Sequence, residues 1–282
     1  MSPFPSTKDL RQFLSLVGDL GVADGARLLL REVGVSTKQT FRYPGHDREY
    51  RLLFDPVWRW TARGERERGL QRIAEERMVA GSTVFDVGAH LGESTLLFSD
   101  LVGPKGRVVA FEPDPVACRI LRKNLSMNAI ANVTVEESSV TDSTGRVVIA
   151  ADRLGSGLAS VVEPATEGAR RKHVSVASTT LDDYCESHDL VPEWVKVDAE
   201  GAEPLVILGM DRIIGSRHPS AIIEFHSVGM SEKERAEAWS TISAKASAVS
   251  VLESIPVTYG YLEAIPRGRL PNPGYLMVYV KY

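Results

Sequence analysis

The chain has 282 residues, 43% hydrophobic and 25% charged, which is enough apolar chain for a large globular core. Its net charge of -4 and pI near 5.9 provide no chain-wide attraction to nucleic acid or to an anionic membrane, so neither is expected as a partner. Cys118 and Cys185 are isolated, lack metal-ligand spacing and read as small core residues of a reducing compartment. No basic-then-apolar leader and no run of 18 apolar residues is present, so a cytoplasmic location is expected.

Along the chain, Leu10, Phe13, Leu14, Val17 and Leu20, then Ala26 and Leu28 to Leu30, predict two short helices broken by Gly21 and Gly25. Phe41 to Phe54, with Pro44-Gly45 between β-prone flanks, predicts a hairpin. An arginine-rich stretch follows, in which Arg59, Arg63, Arg66, Arg68, Arg72 and Arg77 alternate with glutamates. It reads as a helix with a solvated charged face, the alternative being a lid or a surface that anchors an anionic acceptor. Residues 1–80 are thus a helical and hairpin extension, a lid or a dimerisation element, and 81–282 form the main domain.

From Thr83 the pattern alternates: strand 84–88, helix 92–102, strand 107–112, helix 115–128 and strand 132–137, half of a doubly wound parallel sheet. Residues 146–177 interrupt it with a β-rich insertion around Gly155-Ser156-Gly157, a candidate flap. Thr180 caps a helix through Cys185, since Thr-Leu-Asp-Asp supplies a hydroxyl and an acid three positions on. Strands 194–198 and 220–225 resume the sheet, and 258–265 with 275–282 predict an antiparallel hairpin at its edge.

Two constellations carry chemistry. In Val-Phe-Asp-Val-Gly-Ala-His-Leu-Gly, residues 84–92, Gly88 and Gly92 allow a sharp strand-to-helix turn beside a ligand. Glu112, ending the next strand, can accept both hydroxyls of a ribose. The spacing lacks the third glycine that closes on a pyrophosphate, and Asp86, Glu93, Glu112 and Asp114 make the crevice mouth acidic. Such a mouth suits a cationic sulfonium, and S-adenosylmethionine is the candidate ligand.

The second is Trp-Val-Lys-Val-Asp-Ala-Glu-Gly-Ala-Glu, residues 194–203, with Asp198 at a strand's carboxyl end and Glu200 and Glu203 just beyond. Glu203 reads equally as a first-turn helix carboxylate. Period-two alternation puts Lys196 on the face of Asp198, and Glu224 and His226 together on the next strand. Either Lys196 or a bound cation neutralises the acids, and Asp198 with Glu224 could hold Mg²⁺ through oxygen ligands. His226 is either a satisfied structural histidine or a base. The catalytic candidates are Asp198, Glu200, Glu224 and His226.

The ordered set Phe-Asp-Val-Gly-Ala-His-Leu-Gly, Ala-Phe-Glu-Pro-Asp-Pro, Asn124-Leu-Ser-Met-Asn128, Thr180-Leu-Asp-Asp and Lys-Val-Asp-Ala-Glu-Gly-Ala-Glu resembles the FkbM-type methyltransferases over about residues 80–230. The resemblance implies a class I Rossmann-like α/β methyltransferase fold, a mostly parallel doubly wound sheet with an antiparallel C-terminal strand. It further implies O-methylation of a hydroxyl on a sugar, polyketide or similar natural product. It places the cofactor at Asp86, Gly88 and Glu112, and the whole cofactor-binding set expected is Asp86, Gly88, His90, Gly92, Glu93, Glu112, Pro113, Ser139 and Asp198. His90 stands where the family often has Asn. A small-molecule or saccharide acceptor and a homo-oligomer are the expected partners. A nicotinamide-dependent oxidoreductase and a noncatalytic Rossmann-like scaffold are the alternatives.

Overall fold

The computed structural model describes residues 37–54, 67–151, 161, 172–226, 232–255 and 275–282. The helices expected within 7–33, the arginines at 59, 63 and 66, the Gly155-Ser156-Gly157 segment and the strand expected at 258–265 lie outside the described residues. The chain divides into two compact units, Met1–Arg66 and Glu67–Tyr282.

In the first unit the expected hairpin is present, β1 (Thr37–Phe41) pairing antiparallel with β2 (Tyr50–Phe54). Gly45, at φ +84°, takes the left-handed conformation of the turn that a Cβ would oppose. The Phe41, Tyr43 and Tyr50 rings pack on one another, with centroids 4.5 to 5.7 Å apart, and bury the hairpin's aromatic face.

The second unit begins with α1 (Arg68–Arg77), whose Leu70, Ile73 and Ala74 are buried while Arg72 pairs outward with Glu76. Then come β3 (Thr83–Val87), α2 (Glu93–Val102), β4 (Arg107–Phe111), α3 (Pro115–Met127) and β5 (Val133–Glu136). A three-stranded sheet follows from β6 (Ser138–Val140), β7 (Gly145–Ala151) and β8 (Lys172–Thr179), which is the β-rich interruption expected from the sequence. Next are α4 (Leu181–His188), β9 (Trp194–Val197), α5 (Glu203–Leu208), α6 (Asp211–Arg217), β10 (Ser220–His226), α7 (Glu232–Lys245), β11 (Ala248–Ile255) and β12 (Tyr275–Lys281).

The main sheet runs β11-β12-β10-β9-β3-β4-β5. The pairs from β10 through β5 are parallel, and only β12 runs against its neighbours. This is the expected class I methyltransferase arrangement, with helices on both faces. One correction concerns the edge: the partner of β12 is β11, Ala248–Ile255, a Val/Ser alternation after a helix that the sequence does not announce as a strand.

Alternation within the strands sorts the two faces. Phe85 and Phe111 point to one side, where they meet Tyr184 of α4 edge-on at 5.6 and 4.9 Å. That face is filled by Leu181, Val206, Ile207, Ile214 and Ile242 from α4 to α7. Asp86, Lys196 and Glu224 occupy the opposite alternation of β3, β9 and β10, and all three are buried. Register places Asp86 directly beside Lys196, so the acid and the amine are cross-strand neighbours. Thr180 caps α4 by accepting from the Asp183 amide at 2.9 Å. Cys118 and Cys185 are buried and unpaired, as expected of core thiols, and burial pushes the Cys185 thiol up to about 11.

The strand crossover depends on Gly88. At φ +75° it takes a left-handed turn, and a Cβ there would fall 1.7 Å from the Asp198 carbonyl oxygen. Gly81 offers a control, being left-handed at φ +94° with nothing within 4 Å of where a Cβ would sit. Gly81→Ala should therefore cost only the conformational penalty of about 1 kcal/mol. Gly88→Ala should cost about 4 kcal/mol or more, because backbone must move. Urea unfolding of the two variants checks this; equal losses would show that the close approach is relaxed cheaply.

Candidate active site

The carboxyl ends of β3, β4, β9 and β10 meet along one edge of the sheet. At the end of β3 three alternate residues reverse the chain: Gly88, His90 and Gly92 have φ of +75°, +47° and +96°. The turn is braced from three sides. Asp86, fully buried, accepts from Ser94 Oγ at 2.9 Å and Thr95 Oγ1 at 2.6 Å in the first turn of α2. Asn124 of α3 donates to the Leu91 carbonyl at 2.8 Å. Leu121 fills the space that a Cβ on Gly92 would need, its Cδ1 being 2.4 Å from that position.

Glu112 ends β4 and faces this turn. Its Oε2 accepts from the His90 amide and its Oε1 from the Asp114 amide, both at 2.8 Å. Burial raises its pKa from 4.5 to about 7 against the lowering effect of those two amides. His90 thus reaches Glu112 through its backbone. Pro113 lies between Glu112 and the α3 cap, and Ser139 is buried in β6, just beyond the carboxyl end of β5.

The acidic mouth expected from the sequence needs revision in two places. Asp114 is buried and caps α3, accepting from the Val116 and Ala117 amides at 2.7 and 3.3 Å. Asp86 is likewise turned inward, serving the α2 hydroxyls. Glu93 opens α2, where the helix dipole favours its charge. The acidity facing the crevice comes instead from Glu112 and from the second constellation.

That constellation forms around two cations. Lys196, buried, donates to Asp198 Oδ2 at 2.9 Å and to the Gly88 carbonyl at 3.2 Å, and stands 3.8 Å from Asp86 Oδ1. Burial alone would lower its pKa, but Asp198, Asp86, Glu67 and Glu224 outweigh burial and hold it above the usual lysine range. His226 is the second. Its Nδ1 lies 3.0 Å from Glu203 Oε1, and its Nε2 is 3.3 Å from Glu224 Oε1 and 3.9 Å from both Asp198 Oδ1 and Glu200 Oε2. Burial opposes the charged ring, yet Glu203, Glu224 and Asp198 prevail and push its pKa up to about 12. Both ring nitrogens face carboxylates, an arrangement that favours the imidazolium where no ion is bound. Burial likewise raises Glu200 and Glu224 to about 7, partly offset by that imidazolium.

Glu203 resolves the two readings of its sequence position. It opens α5, and its Oε1 accepts from the Ala199 and Gly201 amides at 3.1 and 3.0 Å while meeting His226. It therefore moulds the 198–203 loop as well as fixing the imidazole. Asp198, Glu224 and His226 each present one ligand atom, and these atoms all lie within 4.8 Å of one another. The expected pair of hard oxygens is thus joined by an imidazole nitrogen.

Several residues escape sequence reasoning. Ser94 and Thr95 carry a findable signal, being hydroxyls just after the glycine turn that follows Asp86. Glu67, whose charge acts on Lys196 and Glu224, carries no local signal because it precedes β3 by a whole helix. The donor set suits S-adenosylmethionine: Glu112 offers oxygens for ribose hydroxyls, and the surrounding carboxylates favour a sulfonium.

Comparison with known proteins agrees. The family described as Methyltransferase FkbM domain matches residues 86–249. The chain is 26% identical over 159 residues to a protein of Sulfolobus acidocaldarius named "Probable cobalt-precorrin-6B C(15)-methyltransferase (decarboxylating)", covering 54% of this chain and 83% of that one. Among solved structures it is similar to methyltransferase FkbM from Methylobacillus flagellatus KT, at 18% identity and TM-score 0.47. That match covers 72% of this chain and 44% of the other, so this chain spans less than half the length of that relative. Precorrin-6y C5,15-methyltransferase from Geobacter metallireducens GS-15 is similar at 16% identity and TM-score 0.43, covering 77% of this chain and 90% of that one. Because the family match spans more than half of the chain and takes in Asp86, Gly88, Glu112 and the acids from Asp198 to Glu224, the protein belongs to the FkbM methyltransferase family.

Proposed function

We propose that this methyltransferase moves the methyl group of S-adenosylmethionine onto a hydroxyl oxygen of a small-molecule acceptor, a sugar, polyketide or similar natural product. The observation that carries the reading is the layered acidity of the β9–β10 edge. Asp198 and Glu200 keep 21% and 31% of their side-chain surface exposed, whereas Glu203 and Glu224 behind them keep 0% and 4%. The outer pair can reach an acceptor, and the inner pair fixes the outer one.

When bound, S-adenosylmethionine supplies an electrophilic methyl on a sulfonium. Glu112 would hold its ribose hydroxyls, beside the turn formed by Gly88, His90 and Gly92. A hydroxyl is a weak nucleophile and a weak acid, so the protein must align it and relieve it of its proton. Asp198, fixed by Lys196, accepts the hydroxyl's hydrogen bond and takes its proton as the methyl transfers. Glu200, beside it, can receive that proton in turn while the methyl carbon–sulfur bond breaks and S-adenosylhomocysteine leaves. His226 supports both as a cation rather than as a base.

Other acceptors fit less well. A decarboxylating transfer requires a carboxylate on the acceptor, which this edge would repel. Nucleic acid would meet the same repulsion, with a chain-wide charge of -4 behind it. The missing third glycine argues against a nicotinamide dinucleotide, and a scaffold would not require the carboxylate cluster. No described helix is long and apolar enough to cross a membrane. The two unpaired thiols support placing the protein in the cytoplasm.

Asp198→Asn should lower kcat by about 100-fold or more while leaving affinity for S-adenosylhomocysteine close to wild type. Steady-state kinetics beside calorimetry would separate the two, and unchanged turnover removes Asp198 from the chemistry.

A second expectation concerns pH. Glu112 ionises near 7 in the folded chain against 4.5 ordinarily, so folding takes up a proton between those values. Its contribution to the stability of the unliganded protein is therefore lost as pH rises through that window. Ligand affinity should move the other way, since only the carboxylate can accept from both ribose hydroxyls. Below pH 7, S-adenosylhomocysteine affinity should fall by up to about tenfold per pH unit, and Glu112→Gln should flatten the profile. A wild-type profile that is level from pH 5 to 8 would count against this role.

A further inference from the structure

We propose that His226, Asp198 and Glu224 form a binding site for a divalent first-row transition ion of the Mn²⁺ type, with His226 ligating through Nε2. The site's catalytic purpose rests on the hydroxyl-methylation reading above, but ion binding itself does not.

Three observations carry it. First, the distances come close to those of a single coordination sphere. Ligand bonds of about 2.1 to 2.2 Å place donor atoms about 3 Å apart when adjacent and about 4.3 Å when opposite. Nε2 lies 3.3 Å from Glu224 Oε1 and 3.9 Å from Asp198 Oδ1, and all three donor atoms fall within 4.8 Å. Side-chain shifts of up to about 1 Å would close the set around one ion.

Second, Glu224 reaches the cluster with Oε1 and has unused capacity on its other oxygen. Its side chain is 4% exposed, and its Oε2 is buried with no hydrogen-bond partner among the described residues. A buried carboxylate oxygen without a partner is costly, and a cation would satisfy it.

Third, the imidazole is held as metal-bound imidazoles are held. Nδ1 pairs with Glu203 Oε1 at 3.0 Å, and Glu203 is itself fully buried and fixed by two backbone amides. A carboxylate on the far nitrogen orients the ring and raises its basicity as a ligand. Nε2 is left directed at Asp198, Glu200 and Glu224. An ion bound there displaces the Nε2 proton and takes over its part in neutralising the acids.

The donor set also selects the ion. Two carboxylates alone would suit Mg²⁺, but one imidazole nitrogen among carboxylates favours the softer first-row ions over Mg²⁺. Glu200, 3.9 Å from Nε2, can complete the set or leave a position open for an acceptor oxygen. A hydroxyl taken there would become a stronger acid.

The test uses the full chain, freed of metal with a chelator and titrated calorimetrically with MnCl₂ and separately with MgCl₂. S-adenosylhomocysteine binding is measured on the same sample. Expected are one Mn²⁺ per chain, Mg²⁺ at least about tenfold weaker, and a nitrogen coupling on the Mn²⁺ electron-spin signal. Glu224→Gln and His226→Gln should each weaken Mn²⁺ by about tenfold or more, and Glu203→Gln by about 10- to 100-fold. The nitrogen coupling should vanish in His226→Gln. Wild-type chain that binds S-adenosylhomocysteine but no Mn²⁺ overturns the site and leaves the methyltransferase reading intact. Mn²⁺ binding without S-adenosylhomocysteine binding does the reverse. Wild-type affinity and spectrum in His226→Gln would also overturn the site as drawn.

Discussion

A single buried ammonium joins the two halves of this site. Lys196 reaches the Gly88 carbonyl, Asp198 and Asp86, which belong to the end of β3, the loop after β9 and the interior of β3. Taking an ammonium out of water costs several kcal/mol and is tolerable only where carboxylates and carbonyls replace the lost solvent. The strand register makes that replacement possible, since Asp86 and Lys196 are cross-strand partners. The same ammonium fixes the carbonyl that opens the glycine turn. The turn that faces the cofactor and the acid that faces the acceptor therefore cannot move independently.

Asp86 shows how this constraint spreads. One of its oxygens holds two hydroxyls of α2, and the other, without a hydrogen-bond partner among the described residues, lies 3.8 Å from Lys196 Nζ. It thereby sets where α2 begins relative to the sheet, and the entry of α2 determines how the turn opens. Glu203 plays the equivalent part on the acceptor side, tying loop amides to His226. Each constellation has one inward carboxylate that builds the loop and others that face the crevice.

Much of this architecture can be read from residues in order. The α/β alternation from Thr83, the glycine turn, the Thr180 cap and the facing of Lys196 with Asp198 follow from periods of 3.6 and 2 and from local capping chemistry, which are short-range rules. What cannot be read depends on contacts across the sheet. Asp86 and Asp114 look like crevice acids because sequence shows a carboxylate but not which hydroxyls or amides it meets. β11 stays hidden because Ala248-Val-Ser-Val alternates too briefly to outweigh the helix before it. Glu67 and the His226–Glu203 pair join residues whose proximity is set by the strand order alone.

The 198–203 loop is where these demands conflict. Glu200 is a non-glycine residue at φ +49°, a left-handed conformation that costs about 1 to 2 kcal/mol, followed by Gly201 at +99°. The Glu203 carboxylate holds the conformation by accepting from amides on both sides of Glu200. A relaxed loop would release those amides to solvent and remove Glu200 from Asp198 and His226. Strain in the backbone is thus retained because the buried carboxylate over-determines it, and its effect is to keep acids together that would otherwise separate. Repulsion among those acids is in turn contained by Lys196 and His226. The loop is thus coupled to the positive charge on both sides of it, at Lys196 of β9 and at His226 of β10, which is where the acids of this edge gather.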